Sequence, residues 1–370
     1  MIPSLSHSAR AKANQVIRSP SAPPVVAPTP AAPSGPAGDP WIVHSAELDR
    51  AWKHTQETQL TAIASWAPNA LGPAYQTSGT MFYMFSGPDF LYAHAFFPNA
   101  RTYILCGNEP VGALPDLTTL PPEILPGALG NIRKSLESVL SWSFFITKNM
   151  KSDLTQPYLS GTLPLLYVFL ARANCTIDSV TPVTIDGNGV LAERASDQSA
   201  KGVTPGVRIV FRNASDNRSS IANSAASTLY YFCTDLSDDG IKSTPGLLRF
   251  CQRAGRGVSL LKAASYLMHE TGFSLVRQFL LGQSDIIVQD DSGIPFRFFE
   301  PEIGGGTIPA GQSWDIHYYG PYLGPIDVFK QYWQQDLADV YARVPGQPLP
   351  FGFGYQWQAT KSNLMVASRR

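Results

Sequence analysis

The sequence predicts an α/β fold, with α+β as the alternative: a mixed sheet covered by helices, forming one globular domain over 41–370 behind a Pro/Ala-rich segment at 1–40. Three observations predict it. Segments with apolar residues at three- and four-residue spacing alternate along the chain with short aromatic and β-branched runs bounded by Gly. This interleaving runs throughout without an internal repeat, which favours helices layered on a sheet over an all-α or all-β fold. The chain has 370 residues, 44% of them hydrophobic, enough for a sizeable core. A sub-boundary is expected near 185–205.

The elements follow in order. Ser45 is the expected N-cap of a first helix, with Glu47 and Asp49 in its first turn, Leu48, Trp52, Ile63 and Trp66 near one face, and Pro68 as its stop. "TMFYMFS" and "RTYILCG" read as strands around a two-turn helix in "DFLYAHAFF", with Asp89 as its cap. Leu129, Ile132, Leu136, Val139, Leu140 and Ile146 recur at helical spacing and predict a long helix to about Lys148, followed by a second over 160–173. "GVRIVFRN" and "STLYYFCTDL" predict an antiparallel hairpin across an Asn/Ser-rich loop. "SLLKAASYLMHE" and "SLVRQFLLG" predict two helices hinged at Thr271-Gly272, with Gly282 as a C-cap before the strand "DIIVQDD". "FRFFEP" and "SWDIHYYG" read as strands, and 326–343 as the clearest helix of the chain, with Ile326, Phe329, Trp333, Leu337, Val340 and Tyr341 on one stripe. "LPFGFGYQW", with its alternating aromatics, and "NLMVAS" read as closing strands.

Composition narrows the function classes. Lys plus Arg equals Asp plus Glu at 28 each, so no field of one sign gathers nucleic acid, and no nucleic-acid partner is expected. Only 15% of residues are charged, against about 25% in an average soluble protein, which favours an exported protein, periplasmic or extracellular, over a cytoplasmic one. The segment 1–38 carries Arg10, Lys12 and Arg18 without an acid and then a Pro/Ala tract, which reads as a stiff disordered tether and a route to membrane tethering. No run reaches the ~18 apolar residues of a membrane helix, so no transmembrane segment is expected. Cys106, Cys175, Cys233 and Cys251 form no C-x-x-C pair; they fit buried thiols first and a disulfide second, with Cys233–Cys251 its leading pair. Asn174, Asn213 and Asn217 begin glycosylation tripeptides that matter only in a eukaryotic secretory route.

Most motifs fail on context. "GTIPAGQS" approaches a phosphate loop, but Gln312 stands at the Lys position and the loop runs into a strand instead of opening a helix, so a glycine-rich turn is the better account. There is no G-x-S-x-G elbow and no G-x-G-x-x-G after a strand, although Glu109 lies where an acid would grip a ribose. The histidines His7, His44, His54, His94, His269 and His317 contain no metal-binding pair at close spacing, and the sequence specifies neither metal nor cofactor. His94 is expected to pack as a satisfied polar residue, and His269-Glu270 to cap a helix end.

One constellation remains. Asp89, Glu109, Asp290 and Asp291 each follow an apolar strand. If those strands are parallel neighbours, all four acids lie at the carboxyl edge of the sheet, where open α/β sheets place ligands. There they could act as acid/base partners with His94, His269 or His317, or hold a hard cation. Read blandly, they are an N-cap and two turns. Two functions follow. The first is an exported or envelope-associated, non-catalytic protein that binds a small ligand or a protein partner; it requires an exposed aromatic patch or a large apolar groove. The alternative is a small-molecule hydrolase or transferase using the gathered carboxylates, with Asp89, Glu109, His269, Asp290 and Asp291 as candidate catalytic residues. It requires at least two of the acids and a histidine to line a pocket of a few hundred Å³.

Overall fold

The computed structural model describes residues 39–113, 120–142, 144, 154–156, 159–193, 202–213, 225–299 and 313–370. The tether at 1–38, the helix extension to Lys148, Asn217 and the glycine-rich turn at 306–312 lie outside them. Helix α1 (Pro40–Thr55) is capped by Asp39, whose carboxylate accepts from Trp41 N at 2.9 Å. The cap is therefore Asp39 and not Ser45, because Pro40 at the first helical position has its φ preset for a helix start. A π-helical turn at Gln56–Leu60 joins α1 to α2 (Thr61–Ala70). Pro68 sits inside α2 without ending it, and the helix continues two residues further to Ala70.

β1 (Thr80–Tyr83), α3 (Phe90–Phe96) and β2 (Thr102–Gly107) form the expected strand–helix–strand unit, with the strands parallel and Thr80 opposite Thr102. Helix α4 (Leu125–Trp142) lies along α1, joined by an Arg133–Glu47 ion pair and by Thr55 Oγ1 donating to Leu140 O. After a small ladder of β3 (Thr155–Gln156) and β4 (Leu159–Ser160) come α5 (Leu163–Arg172), β5 (Cys175–Ile185), β6 (Leu191–Glu193), β7 (Thr204–Asn213) and β8 (Ser227–Cys233). The β7/β8 pair is antiparallel, as the sequence predicts. The chain closes with α6 (Asp238–Ser243), α7 (Gly246–Arg253), β9 (Gly257–Leu261), α8 (Ser274–Gln283), β10 (Ser284–Gln289), β11 (Trp314–Tyr319), α9 (Gln335–Arg343) and β12 (Leu364–Arg369).

Ten strands make one mixed sheet in the order β11-β12-β10-β9-β1-β2-β8-β7-β5-β6. The five central strands, β10 to β8, are mutually parallel, and every pairing outside them is antiparallel. Alternate residues of the central strands feed two cores. Met81, Tyr83, Tyr103 and Leu105 pack beneath α1–α5, while Phe82, Met84, Ile104 and Cys106 pack beneath α6–α9. Burial on both faces explains the near-continuous apolar runs of these strands.

Several expectations are corrected. The stretch 259–270 is no helix: it holds most of β9, a loop and a 3₁₀ turn at Leu267–His269, so His269-Glu270 caps no α-helix. A five-residue apolar strand buried on both faces carries no alternation to separate it from a helix. Gly282 lies inside α8, and 296–298 is a 3₁₀ turn instead of a strand. The stripe at 326–343 is split into a 3₁₀ turn, Asp327–Tyr332, and α9. At the break, Gln334 takes extended φ/ψ and its buried amide accepts from Phe296 N at 2.7 Å and donates to Asp291 O at 3.0 Å. "LPFGFGYQW" is mostly turn with one isolated bridge, Phe353 to Gln356. Gly354, at φ +67°, lies so close to Asp290 that a Cβ would stand 1.7 Å from its Oδ2. All four cysteines are thiols, and the Cys233–Cys251 disulfide is not formed.

Candidate functional site

The order of the parallel strands reverses at β1, with β2 and β8 on one side and β9 and β10 on the other. An open α/β sheet places its ligand crevice at such a point, outside the carboxyl ends of the strands. Asp89, Glu109, Asp290 and Asp291 all follow the carboxyl ends of strands in this parallel set, and all four are buried.

The centre of this edge is Lys262, which follows β9 and is 3% exposed. Its Nζ lies 2.7 Å from Asp89 Oδ2 and 3.1 Å from the centroid of the Tyr92 ring. Asp89 also accepts from Tyr83 OH at 3.0 Å and, as the cap of α3, from Tyr92 N at 3.1 Å. Burial lowers the Lys262 pKa to about 8, opposed by the attraction of Asp89 and Asp290. Removing either partner would leave a charge in a low-dielectric interior at a cost of about 3–5 kcal/mol.

Asp290 and Asp291 form the second part. Asp290 accepts from Ala263 N at 3.2 Å and from Ser292 N and Oγ, while Gly293 N closes a β-turn onto its carbonyl. Asp291 accepts from Tyr266 OH at 2.8 Å and Asn363 Nδ2 at 3.2 Å. Burial raises both carboxyl pKa values, and the charge of Asp291 adds to the rise at Asp290. The connecting loop carries three of the four non-glycine residues with positive φ among the described residues, Ala263, Ser265 and Tyr266. Each costs about 1–2 kcal/mol, which the bonds to Asp290, Asp291 and Tyr355 offset.

The remaining sequence candidates are Glu109 and the histidines. Glu109 follows β2 by two residues, and Tyr231 OH donates to its backbone carbonyl at 2.8 Å. Gly107 permits that approach, because a Cβ would meet Glu109 Oε2 at 2.4 Å and Gly87 Cα at 2.9 Å. His269 reaches Asp291 through its backbone carbonyl, Nε2 to O at 3.2 Å, and burial with the nearby Arg297 and Arg277 guanidinium groups lowers its pKa to about 3. His94 packs in α3 against Asn213, its pKa lowered to about 4 by burial, and His317 is exposed beside Asp315 on β11. The structure therefore gathers Asp89, Asp290, Asp291 and His269 around one buried network. The cavity against Asp290 and Asp291 is about 10 Å³, room for roughly one water. Among the described residues, no group of three or more His, Cys, Asp or Glu could hold a metal ion.

Open space lies to one side. A groove of about 710 Å³ is lined by Pro321, Tyr322, Ala338, Tyr341, Ala342, Pro345 and Leu349 among others. A polar cleft of about 510 Å³ is lined by His269, Arg297, Tyr332, Trp333, Gln334 and Asp336 among others. The Tyr322 ring of the groove and the Trp333 ring of the cleft are 5.2 Å apart, and Gln334 N donates to Tyr322 OH at 3.0 Å, so the two spaces adjoin. Leu323, Trp333, Val344 and Trp357, on these same segments, are 37–55% exposed. Sequence reasoning missed Lys262, although a lone cation in "VSLLKAASY" is a signal of a buried partner. It also missed Arg297 and the groove, which no local pattern marks.

No family model, no curated protein and no solved structure matches the chain. The fold alone defines the class: an α/β protein on a ten-stranded mixed sheet.

Proposed function

We propose that this is a binding protein, exported or envelope-associated, that takes the apolar part of a ligand in the groove beside α9. The observation that carries the reading is the groove itself: about 710 Å³ of open space walled by Pro, Ala, Leu and Tyr side chains, with Leu323, Val344 and Trp357 exposed on the segments that frame it. Pockets of this size and lining suit small apolar ligands. The alternative, a hydrolase or transferase at the carboxylates, has less support. Asp89, Asp290 and Asp291 are engaged by Lys262, by Tyr266 and Asn363, and by backbone N–H groups, and the space against the last two acids holds about one water.

Export rests on the low charge and the Pro/Ala-rich segment, and membrane tethering gains support from Trp41, Ile42 and Val43, exposed on the first turn of α1 just after that segment. No helix among the described residues is long and apolar enough to cross a membrane. N-terminal sequencing of native protein from fractionated cells checks this part. The binding reading is tested by calorimetric titration with decan-1-ol, comparing the natural protein with Ala342→Trp, whose indole would obstruct the groove. Saturable binding that the substitution abolishes is the expected result; binding untouched by it, or no binding, contradicts the reading.

A further inference from the structure

The groove does not stand alone, and its neighbour differs from it in chemistry. The groove is walled by apolar side chains, whereas the adjoining cleft presents a guanidinium, two carboxamides from Gln331 and Gln335, and the neutral ring of His269. Arg297 supplies the cleft's positive charge. It makes no ion pair with a carboxylate of the described residues, and its guanidinium lies 5.0 Å from the centroid of the Phe298 ring, which Arg277 approaches at 4.2 Å. Both arginines depress the pKa of His269, so the local field is positive. Of the acids nearby, Glu270 accepts from Tyr332 OH and Asp336 accepts from Leu337 N in the first turn of α9. An aromatic pair, Tyr322 and Trp333, spans the boundary between the apolar and the cationic space, and Trp333 is 48% exposed.

We infer that the ligand is a single-chain amphiphile with a carboxylate head, its chain in the groove beside α9, its methylenes crossing Tyr322 and Trp333, and its head against Arg297 in the cleft. This rests on the binding reading above and names the ligand class. A carboxylate fits the fork of a guanidinium with two parallel hydrogen bonds, and an arginine without an ion pair among the described residues, beside an apolar trough, supplies the two chemistries that an amphiphile joins. The aromatic pair offers a boundary surface that is apolar in body and polar at its tips.

The test compares decanoate with decan-1-ol by calorimetry on the full chain, in the natural protein and in Arg297→Gln and Asp336→Asn. Decanoate should bind at least about tenfold more tightly than decan-1-ol. Arg297→Gln should bring the two affinities together by weakening decanoate the more, and Asp336→Asn, which removes an acid from the cleft, should widen the preference. Equal affinities in the natural protein, or a preference that survives Arg297→Gln, overturn the inference and leave the groove reading standing. If neither compound binds saturably, both fall. If Arg297→Gln proves unstable, Asp336→Asn alone decides the matter, because an unchanged or reduced preference there contradicts a head seated in this cleft.

Discussion

The carboxyl edge of the parallel strands and the flank beside α9 are neighbours, joined through Gln334, yet they handle polar groups in opposite ways. At the edge, Lys262, Asp89, Asp290 and Asp291 are buried and held by partners within the chain. On the flank, Arg297 makes no ion pair among the described residues, Trp333 is 48% exposed, and apolar walls line open space. The edge has the placement of a site and the flank has the room. A crevice position is therefore not enough to assign a site: at this switch point the space is taken by a lysine and its carboxylate, and the open space lies to one side.

Breaking the edge should have the largest effect. Asp89→Ala removes both the partner of Lys262 and the cap of α3, and should lower stability by about 3–5 kcal/mol in urea unfolding, whereas Trp333→Ala on the flank should change it by less than about 1 kcal/mol. Next comes Gln334→Ala, which strips partners from Phe296 N and Asp291 O and should cost about 1–3 kcal/mol, since Gln334 is the joint between the two regions.

A smaller, graded effect is the response to pH. The Asp290 pKa is raised to about 7 from an ordinary 3.8, so the folded state holds its proton more tightly, and stability is full below about pH 4 and falls as pH rises through about 7. His269 and His94 act oppositely: their pKa values lie at about 3 and about 4, below an ordinary 6.5, so their contribution is present above pH 6.5 and is lost as pH falls toward 3–4. In natural protein the two trends offset one another. Asp290→Asn removes one of the two raised carboxyls and should tilt the balance toward the histidine trend, a stability that falls with falling pH at no more than about 2.7 kcal/mol per pH unit for the two rings. A urea midpoint measured across pH 4–7 that is unchanged by the substitution would contradict the buried carboxyl.

The outline of the fold was legible because its central strands are apolar runs bounded by Gly and its helices α4, α5 and α8 keep their spacing. Asp89 as a helix cap was legible for the same local reason. β9 was not, because five residues buried on both faces carry no period of two. Nor was the break at Trp333-Gln334: the apolar stripe continues across it, and what interrupts the helix is the distant pair Phe296 N and Asp291 O, which claims the Gln334 amide. The acids were placed at one edge by their strands, but the partners that close the edge, Lys262, Tyr266 and Asn363, come from segments far apart in sequence. The groove is likewise assembled from 320–322, 338–349 and 359–360, which share no motif.

Hydrogen exchange with and without saturating decanoate sets the two regions against each other in one measurement. Added protection should appear at 320–324, 331–336 and 341–349 and be absent at 83–92, 261–266 and 289–292. Protection gained at the latter three segments, with none beside α9, would place the ligand at the buried carboxylates and contradict the account.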